Sequence, residues 1–248
     1  MNIAKIVSNI HKEDPSKGYR RINDDLFRDY NIDISDKRAL RICRAVGARS
    51  DIKYSCNGCT VNERNPMHTA ENILNRDFTA DAPNEKWVTD VTEFKYYVNG
   101  KKHKLYLSAI LDLYDRRVVA YEIGESNGNQ LVFQTFDQAV SLYPDAHPIF
   151  HSDRGFQYTN PIFHQKLIDA EMTQSMSRIG KCLDNSPMEG FWGILKREKY
   201  YGFNFESKAA LETMISTYIE YYNDRRYQRK LGILTPMEKY RQYFENAA

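Results

Sequence analysis

Between Lys86 and Leu113 two runs rich in β-branched and aromatic residues flank Asn99-Gly100. Asn-Gly in that setting is a strong hairpin signal, because a two-residue turn that follows the strand twist needs φ > 0 at both central positions. The first run, Lys86 to Tyr97, holds Trp87, Val88, Val91, Phe94, Tyr96 and Tyr97; the second, Leu105 to Leu113, is apolar enough to lie inside a sheet. A third strand is expected over Arg117 to Ile123, after the Tyr-Asp-Arg turn. The period then becomes helical: Asn129 to Tyr143 sets Phe133, Phe136, Ala139 and Val140 on one side. A short buried strand at Pro148 to His151, a helix opened by Asn160-Pro161 to about Ala170, and a fifth strand at Thr173 to Ser177 follow, and two or three helices finish the chain. A strand meander followed by alternating helices and strands predicts an α/β fold, a mixed five-stranded sheet with helices on its faces.

The first fifty residues carry a different pattern. Gly18 to Tyr30 places Ile22, Leu26 and Phe27 at helical spacing. Ser35 suits the N-cap of a second helix with Ala39, Leu40, Cys43 and Val46 as its apolar stripe and Gly47 as its stop. Lys37, Arg38, Arg41 and Arg44 then form a positive outer surface. A small helical module with one basic helix suits DNA binding in the helix-turn-helix manner, although a solubilising face explains the same charges. A second basic run, Asn223 to Lys230, carries four bases against one acid. On a chain of 248 residues with net charge +2, such local patches point to a polyanion held on particular faces. From Asp51 to about Glu85 the pattern dissolves into Asn, Arg, Asp and Pro and suggests a linker.

With 42% hydrophobic and 27% charged residues the chain is neither disordered nor a disulfide scaffold. No apolar run reaches the roughly 18 residues of a membrane span. The N-terminus shows no basic region followed by an apolar core, so a cytoplasmic protein is expected. Cys56-Asn-Gly-Cys59 has the spacing of half a zinc site, but no second pair follows, and free thiols in a reducing compartment are expected.

Three acids stand in unusual places. Asp90 interrupts a strong strand and shares a face with Val88, Thr92 and Phe94, where an unpaired carboxylate costs several kcal/mol. A buried Arg or Lys partner is the plain explanation. Asp153 ends a short strand, at the edge where open α/β sheets collect functional groups, or it caps the loop or pairs with Arg154. Glu189 closes Ser186-Pro-Met-Glu189, which by itself is a capping box with proline at the helix start. Taken together, converging carboxylates with oxygen-only chemistry suit Mg²⁺ or Mn²⁺, and paired metals suit attack on a phosphodiester. Lys196, seven residues after Glu189 and nearly on the same helix azimuth, is placed to meet phosphate, or is simply a solvent lysine.

Trp87-Val-Thr-Asp90, His151-Ser-Asp153-Arg-Gly-Phe-Gln-Tyr158 and Asp184-Asn-Ser-Pro-Met-Glu189 with Leu-Lys-Arg-Glu198, read in order, resemble the acid triad of retroviral-integrase-like transposases. The 35 residues between Asp153 and Glu189 match that subgroup. Tyr221-Tyr-Asn-Asp-Arg-Arg-Tyr-Gln and Leu234-Thr-Pro-Met-Glu238 resemble the tail of the insertion sequence 3 family of transposases, and Gly18-Tyr-Arg-Arg-Ile22 with Lys37-Arg-Ala-Leu-Arg41 resemble its helix-turn-helix module. The resemblance implies a helix-turn-helix-like module over 1–54, a linker over 55–82 and an RNase H-like catalytic core with C-terminal helices over 83–246. It implies Asp90, Asp153 and Glu189 as catalytic, metal-binding acids, with Mg²⁺ (or Mn²⁺) as cofactor. On that reading Glu189 leaves its capping role. The DNA-contacting residues are expected to be Lys196, Arg197, Arg20, Arg21, Lys37, Arg38, Arg41, Arg44, Arg225 and Arg226.

The activity implied is cleavage at transposon ends and transfer of the freed 3′-hydroxyl into target DNA. The implied partners are double-stranded DNA, other copies of the chain on that DNA, and the first-frame product of the element. The chain is expected to match the second-frame portion of a longer frameshift product, and Cys56 and Cys59 match no feature of the family. A non-catalytic DNA-binding regulator derived from a transposase is the competing reading. A host ribonuclease H-like nuclease fits the acids but leaves the basic module and the Tyr221 to Gln228 tail unexplained.

Overall fold

The computed structural model describes residues 2–52 and 68–247; Cys56 and Cys59 lie outside the described residues. The N-terminal part is three helices, α1 (Ile3–Glu13), α2 (Tyr19–Tyr30) and α3 (Asp36–Ala45). Asn2 caps α1, accepting the Ala4 N–H at 3.1 Å, and Ser35 caps α3 as expected, accepting the Arg38 N–H at 3.3 Å. Ile6, Val7 and Ile10 of α1 meet Ile22 and Leu26 of α2 and Cys43 of α3 in a core of their own. Each such aliphatic side chain, fully buried, contributes about 1.5–3 kcal/mol. Asn31, with φ +51°, stops α2, and Gly47, with φ +73°, turns the chain out of α3.

The sheet comprises β1 (Lys86–Val98), β2 (Lys101–Asp112), β3 (Val118–Gly124), β4 (Ile149–Ser152) and β5 (Thr173–Met176), in the order β3-β2-β1-β4-β5. The first three strands pair antiparallel; β4 and β5 join parallel to β1. The turn is the expected one, with Asn99 at φ +49° and Gly100 at φ +75°. β2 starts at Lys101, four residues before its apolar run, because Lys101 to Lys104, themselves solvent-exposed, pair with Lys95 to Val98.

Strand alternation divides the apolar side chains between two layers. Trp87, Ile110, Val119 and Phe150 face α4 (Asn129–Leu142) and α5 (Pro161–Asp169). Val88, Phe94, Leu107 and Leu111 face α6 (Ser186–Leu195) and α7 (Lys208–Asp224). α6 runs on into a π-helical turn, Lys196–Tyr200, and α8 (Pro236–Ala247) ends the chain. Residues 68–85 carry neither helix nor strand. The stretch from Glu71 to Leu74 lies against β5, where the Met176 N–H donates to the Glu71 carbonyl and the Leu74 N–H to Ser175 Oγ, covering part of an edge that would otherwise present free backbone groups. Among the described residues no helix is long and apolar enough to cross a membrane.

Candidate active site

Parallel pairing puts two of the acids side by side. Val88 of β1 is in register with His151 of β4, so Asp90 and Asp153, each two residues further on, leave neighbouring strands at the same height. Strands so paired run about 4.8 Å apart. Asp90 Oδ1 accepts the Val91 N–H at 2.8 Å, and Oδ2 accepts the Trp192 indole N–H at 3.0 Å. Asp153 Oδ1 accepts the Gly155 N–H at 2.8 Å. A Cβ at Gly155 would stand 2.9 Å from that oxygen and from Gln157 Oε1, so a larger residue there would push the Asp153 carboxylate or Gln157 aside. Both local explanations of these acids therefore fail in part. Asp153 does cap its loop, but Arg154 turns away and donates to the Ser177 carbonyl at 2.8 Å, and no Arg or Lys among the described residues ion-pairs with Asp90.

Glu189 sits in the first turn of α6, exposed to solvent. The capping box does not form: Asn185 occupies the cap position without a side-chain cap, and Glu189 bonds to nothing there. Instead Asn185 Nδ2 donates to the Thr89 carbonyl at 2.9 Å, pinning the start of α6 beside Asp90. Trp192 holds Asp90 about two turns on, and Lys196 Nζ donates to Thr92 Oγ1 at 2.6 Å and lies 5.1 Å from the Phe94 ring centroid. The helix is thus laid along β1 by three polar bonds, with Glu189 and Lys196 on it. Among the described residues no three His, Cys, Asp or Glu side chains stand close enough to grip one ion; Glu189 lies near enough for its charge to act on Asp90, without closing on the pair.

The electrostatics match an acid pair with no cation. Burial, reinforced by the charge of Asp153 and then of Glu189, pushes Asp90 up to about 7, against the pull of the Val91 and Trp192 N–H groups. Burial raises Asp153 and Glu189 as well. Burial also draws the Lys196 ammonium down, with the charge of Asp90 opposing it. The buried acids elsewhere are treated differently. Asp24 takes Arg229, Asp25 takes Lys17, Asp112 and Asp115 share Arg117, Asp184 takes Arg76 and Arg178, and Glu198 takes Arg21 and Arg226. A dication is what the donor set of Asp90, Asp153 and Glu189 fits: all carboxyl oxygen, none ion-paired with a basic residue from within the described part of the fold.

Sequence patterning missed two neighbours that shape this site. Asp184 is fully buried and accepts from the Arg178 backbone and guanidinium, from Arg76 and from Asn72, which fastens the loop leading into α6. The Arg178 bonds hold it well below the usual carboxylate range. His151 is buried between Ser175 Oγ at 2.9 Å and Ser177 Oγ at 3.1 Å, tying β4 to β5, and burial lowers it to about 4, so it is neutral. Both acid-bearing motifs contain these residues, but their partners are far along the chain.

The basic residues divide into two groups. Lys37, Arg38, Arg41 and Arg44 line the exposed side of α3, and Arg20 and Arg225 are exposed, with Arg20 3.8 Å from Asp36. Arg197 is half-buried on the π-helical turn, its guanidinium against Gly193. Arg21 and Arg226, also expected at a DNA surface, point inward and meet on Glu198 at 2.9 and 2.8 Å.

Two family profiles match the chain, both described as integrase core domain, one over residues 80–182 and the other over 189–243. The chain is 41% identical over 239 residues to InsK of insertion sequence element IS150 from Escherichia coli (strain K12), covering 96% of this chain and 82% of that protein. It is 31% identical over 232 residues to the transposase InsF of insertion sequence IS3fB from the same organism, covering 91% of this chain and 75% of that protein. Among solved structures, a cryo-EM structure of the simian T-cell lymphotropic virus intasome with the PP2A regulatory subunit B56 gamma superposes with a TM-score of 0.50 at 19% identity. It covers 92% of this chain and 70% of the matched one, a likeness of fold.

Proposed function

Because the chain belongs to the insertion sequence 3 family of transposases, which carry an integrase core, we propose that Asp90, Asp153 and Glu189 are its catalytic acids in DNA cleavage and strand transfer. The observation that carries this reading is the contrast in compensation: every fully buried acid among the described residues has a basic partner, whereas the neighbouring Asp90 and Asp153 have none. These three carboxylates would hold Mg²⁺, or Mn²⁺ in its place, and the metal, when bound, would supply activation of the attacking oxygen and stabilisation of the leaving one.

The chain's own residues do the rest. Trp192 fixes the rotamer of Asp90, the Gly155 N–H orients Asp153, and Lys196 brings a positive charge to the phosphate side of the acids. In the first reaction water attacks the phosphorus at the transposon end; a P–O bond forms and the P–O3′ bond breaks, leaving a 3′-hydroxyl. In the second, that hydroxyl attacks a target phosphodiester, forming the joint and releasing a target 3′-hydroxyl. The exposed basic side of α3, with Lys37, Arg38, Arg41 and Arg44, holds the DNA in the helix-turn-helix manner, with Arg20, Arg225 and Arg197 as further contacts. The small module over 1–54, the linker over 55–82 and the catalytic core over 83–246 follow from the same reading, as do assembly of several copies on DNA and cooperation with the first-frame product.

Purified protein with Mg²⁺ and a pre-nicked transposon-end duplex is expected to join the 3′ end to target DNA. Asp90→Asn and Glu189→Gln are expected to abolish joining and leave binding intact; joining by either variant removes the assignment. A wild-type chain that binds ends but never joins them is the non-catalytic regulator instead.

A further inference from the structure

We propose, resting on the transposase reading above, that Glu198 is a positioning residue through which the N-terminal helices fix the helical run carrying Glu189 and Lys196. Glu198 is 6% exposed and gathers three elements onto one carboxylate. Arg21 of α2 reaches Oε1 at 2.9 Å; Arg226, just beyond α7, reaches it at 2.8 Å; and the Tyr218 hydroxyl of α7 donates to Oε2 at 2.9 Å. The other arm of Arg21 donates to the Tyr221 hydroxyl at 2.7 Å, and Asp14, just past α1, lies 3.6 Å away. A buried ion network of this kind resists opening, because losing any one partner strands a charge away from water.

The place of this join on the chain gives it consequence. Glu198 lies in the π-helical turn that continues α6, two residues after Lys196 and nine after Glu189. Turns of this type concentrate at functional positions. On the sheet side the helix is held by Asn185, Trp192 and Lys196, and at its far end the charged join to Arg21 ties it to the N-terminal helices. Rotating a helix by about 10° sweeps a side-chain tip through about 1 Å at its 5–6 Å radius. For a glutamate that must close on the Asp90–Asp153 pair, such a shift costs about 100-fold in rate. Through this join, what α3 grips bears on where Glu189 stands.

The same residues offer a sharp alternative, that Arg21 touches phosphate. The two are separated by Arg21→Met in the full chain. The module stays docked in that variant, since Arg229 bonds Asp24 and Asp36 at 2.8 and 2.7 Å and Arg28 pairs with Glu238. Positioning predicts that kcat for joining falls about 10- to 100-fold, while KM for the end duplex and the salt slope of binding stay as in wild type. Arg21→Lys is expected to recover part of the rate. Amide hydrogen exchange is expected to rise across residues 189–199 and to stay unchanged in β1 and β2. Tyr221→Phe, which removes only the hydroxyl holding the second arm of Arg21, is expected to give a milder change of the same kind. A salt slope lower by about one, the mark of a lost phosphate contact, with unchanged exchange overturns the proposal, and so does a uniform rise of exchange in both variants. If wild type fails to join DNA at all, the transposase reading falls, and the exchange measurement still decides whether Arg21 holds the helix.

Discussion

Glu189 and Glu198 are the same residue type on one continuous helical run, nine positions apart, and the fold treats them oppositely. Glu198 is buried and meets two guanidiniums and a hydroxyl; the charges of Arg226 and Arg21 outweigh burial and hold it below the usual glutamate range. Glu189 is exposed, has no cation, and is raised by partial burial near other acids. The β1–β2 pair repeats the contrast: Asp112 of β2, opposite Trp87, accepts four N–H groups and lies 3.8 Å from the buried Arg117, whereas Asp90 of β1, three residues after Trp87, has two N–H donors and an acidic neighbour. Charge that the protein neutralises internally holds the fold. Charge that it leaves open is available to a ligand, and the two kinds are told apart by their partners.

The contrast breaks first at Asp90. Asp90→Asn is expected to lower joining by at least about 10³-fold, on the scale of losing an electrostatic catalytic group, while changing the stability of the metal-free protein by no more than about 1 kcal/mol, because removal of an uncompensated charge offsets the one N–H acceptor that is lost. Strand-transfer assays and urea unfolding on the same preparation check both effects; an Asp90→Asn protein destabilised by about 3 kcal/mol or more would put Asp90 among the structural acids. Glu198→Gln is expected to do the reverse to the fold, costing about 3–5 kcal/mol because Arg21 and Arg226 are left without their anion. The next effect is smaller and depends on pH. A carboxyl depressed in the folded state adds stability above its unfolded pKa, near 4.5, and that stability is lost as pH falls through the folded value. Urea midpoints from pH 6 down to pH 3 are therefore expected to converge for wild type and Glu198→Gln, and a constant gap would show that the ion network contributes nothing.

How much of this was legible in the sequence follows from the range of each interaction. Asn99-Gly100 fixes its turn within two residues, Ser35 caps its helix within three, and the strand and helix periods are local, so the sheet and its flanking helices could be read directly. The ribbon end of β2 was missed because Lys101 to Lys104 are strand by pairing alone, with no apolar face to announce it. Glu189 looked like a cap because Ser186-Pro-Met-Glu has the cap spacing, but Asn185 spends its side chain on Thr89 instead. Arg21 and Arg226 looked like DNA contacts because a basic run on a chain carries no sign of the acid it will meet after folding. The partner of Arg21 lies in the Leu-Lys-Arg-Glu198 stretch, far along the chain, and only tertiary structure brings them together.

The smallest expected effect tests the other half of that division, the arginines that stay outside. Arg41 lies on the exposed side of α3 with Lys37, Arg38 and Arg44, while Ala39 and Cys43 of the same helix are buried. Removing its charge strands no buried partner, so Arg41→Gln is expected to change stability by less than about 0.5 kcal/mol. If α3 is the DNA-facing helix, the variant gives up one phosphate contact, and the slope of log affinity against log salt falls by about one between 50 and 200 mM. Arg21→Met measured under the same salt series keeps the wild-type slope. Equal slopes for wild type and Arg41→Gln would mean that the outward charges of α3 only solubilise the module, and the DNA surface would then have to be sought at Arg20, Arg225 and the π-helical turn.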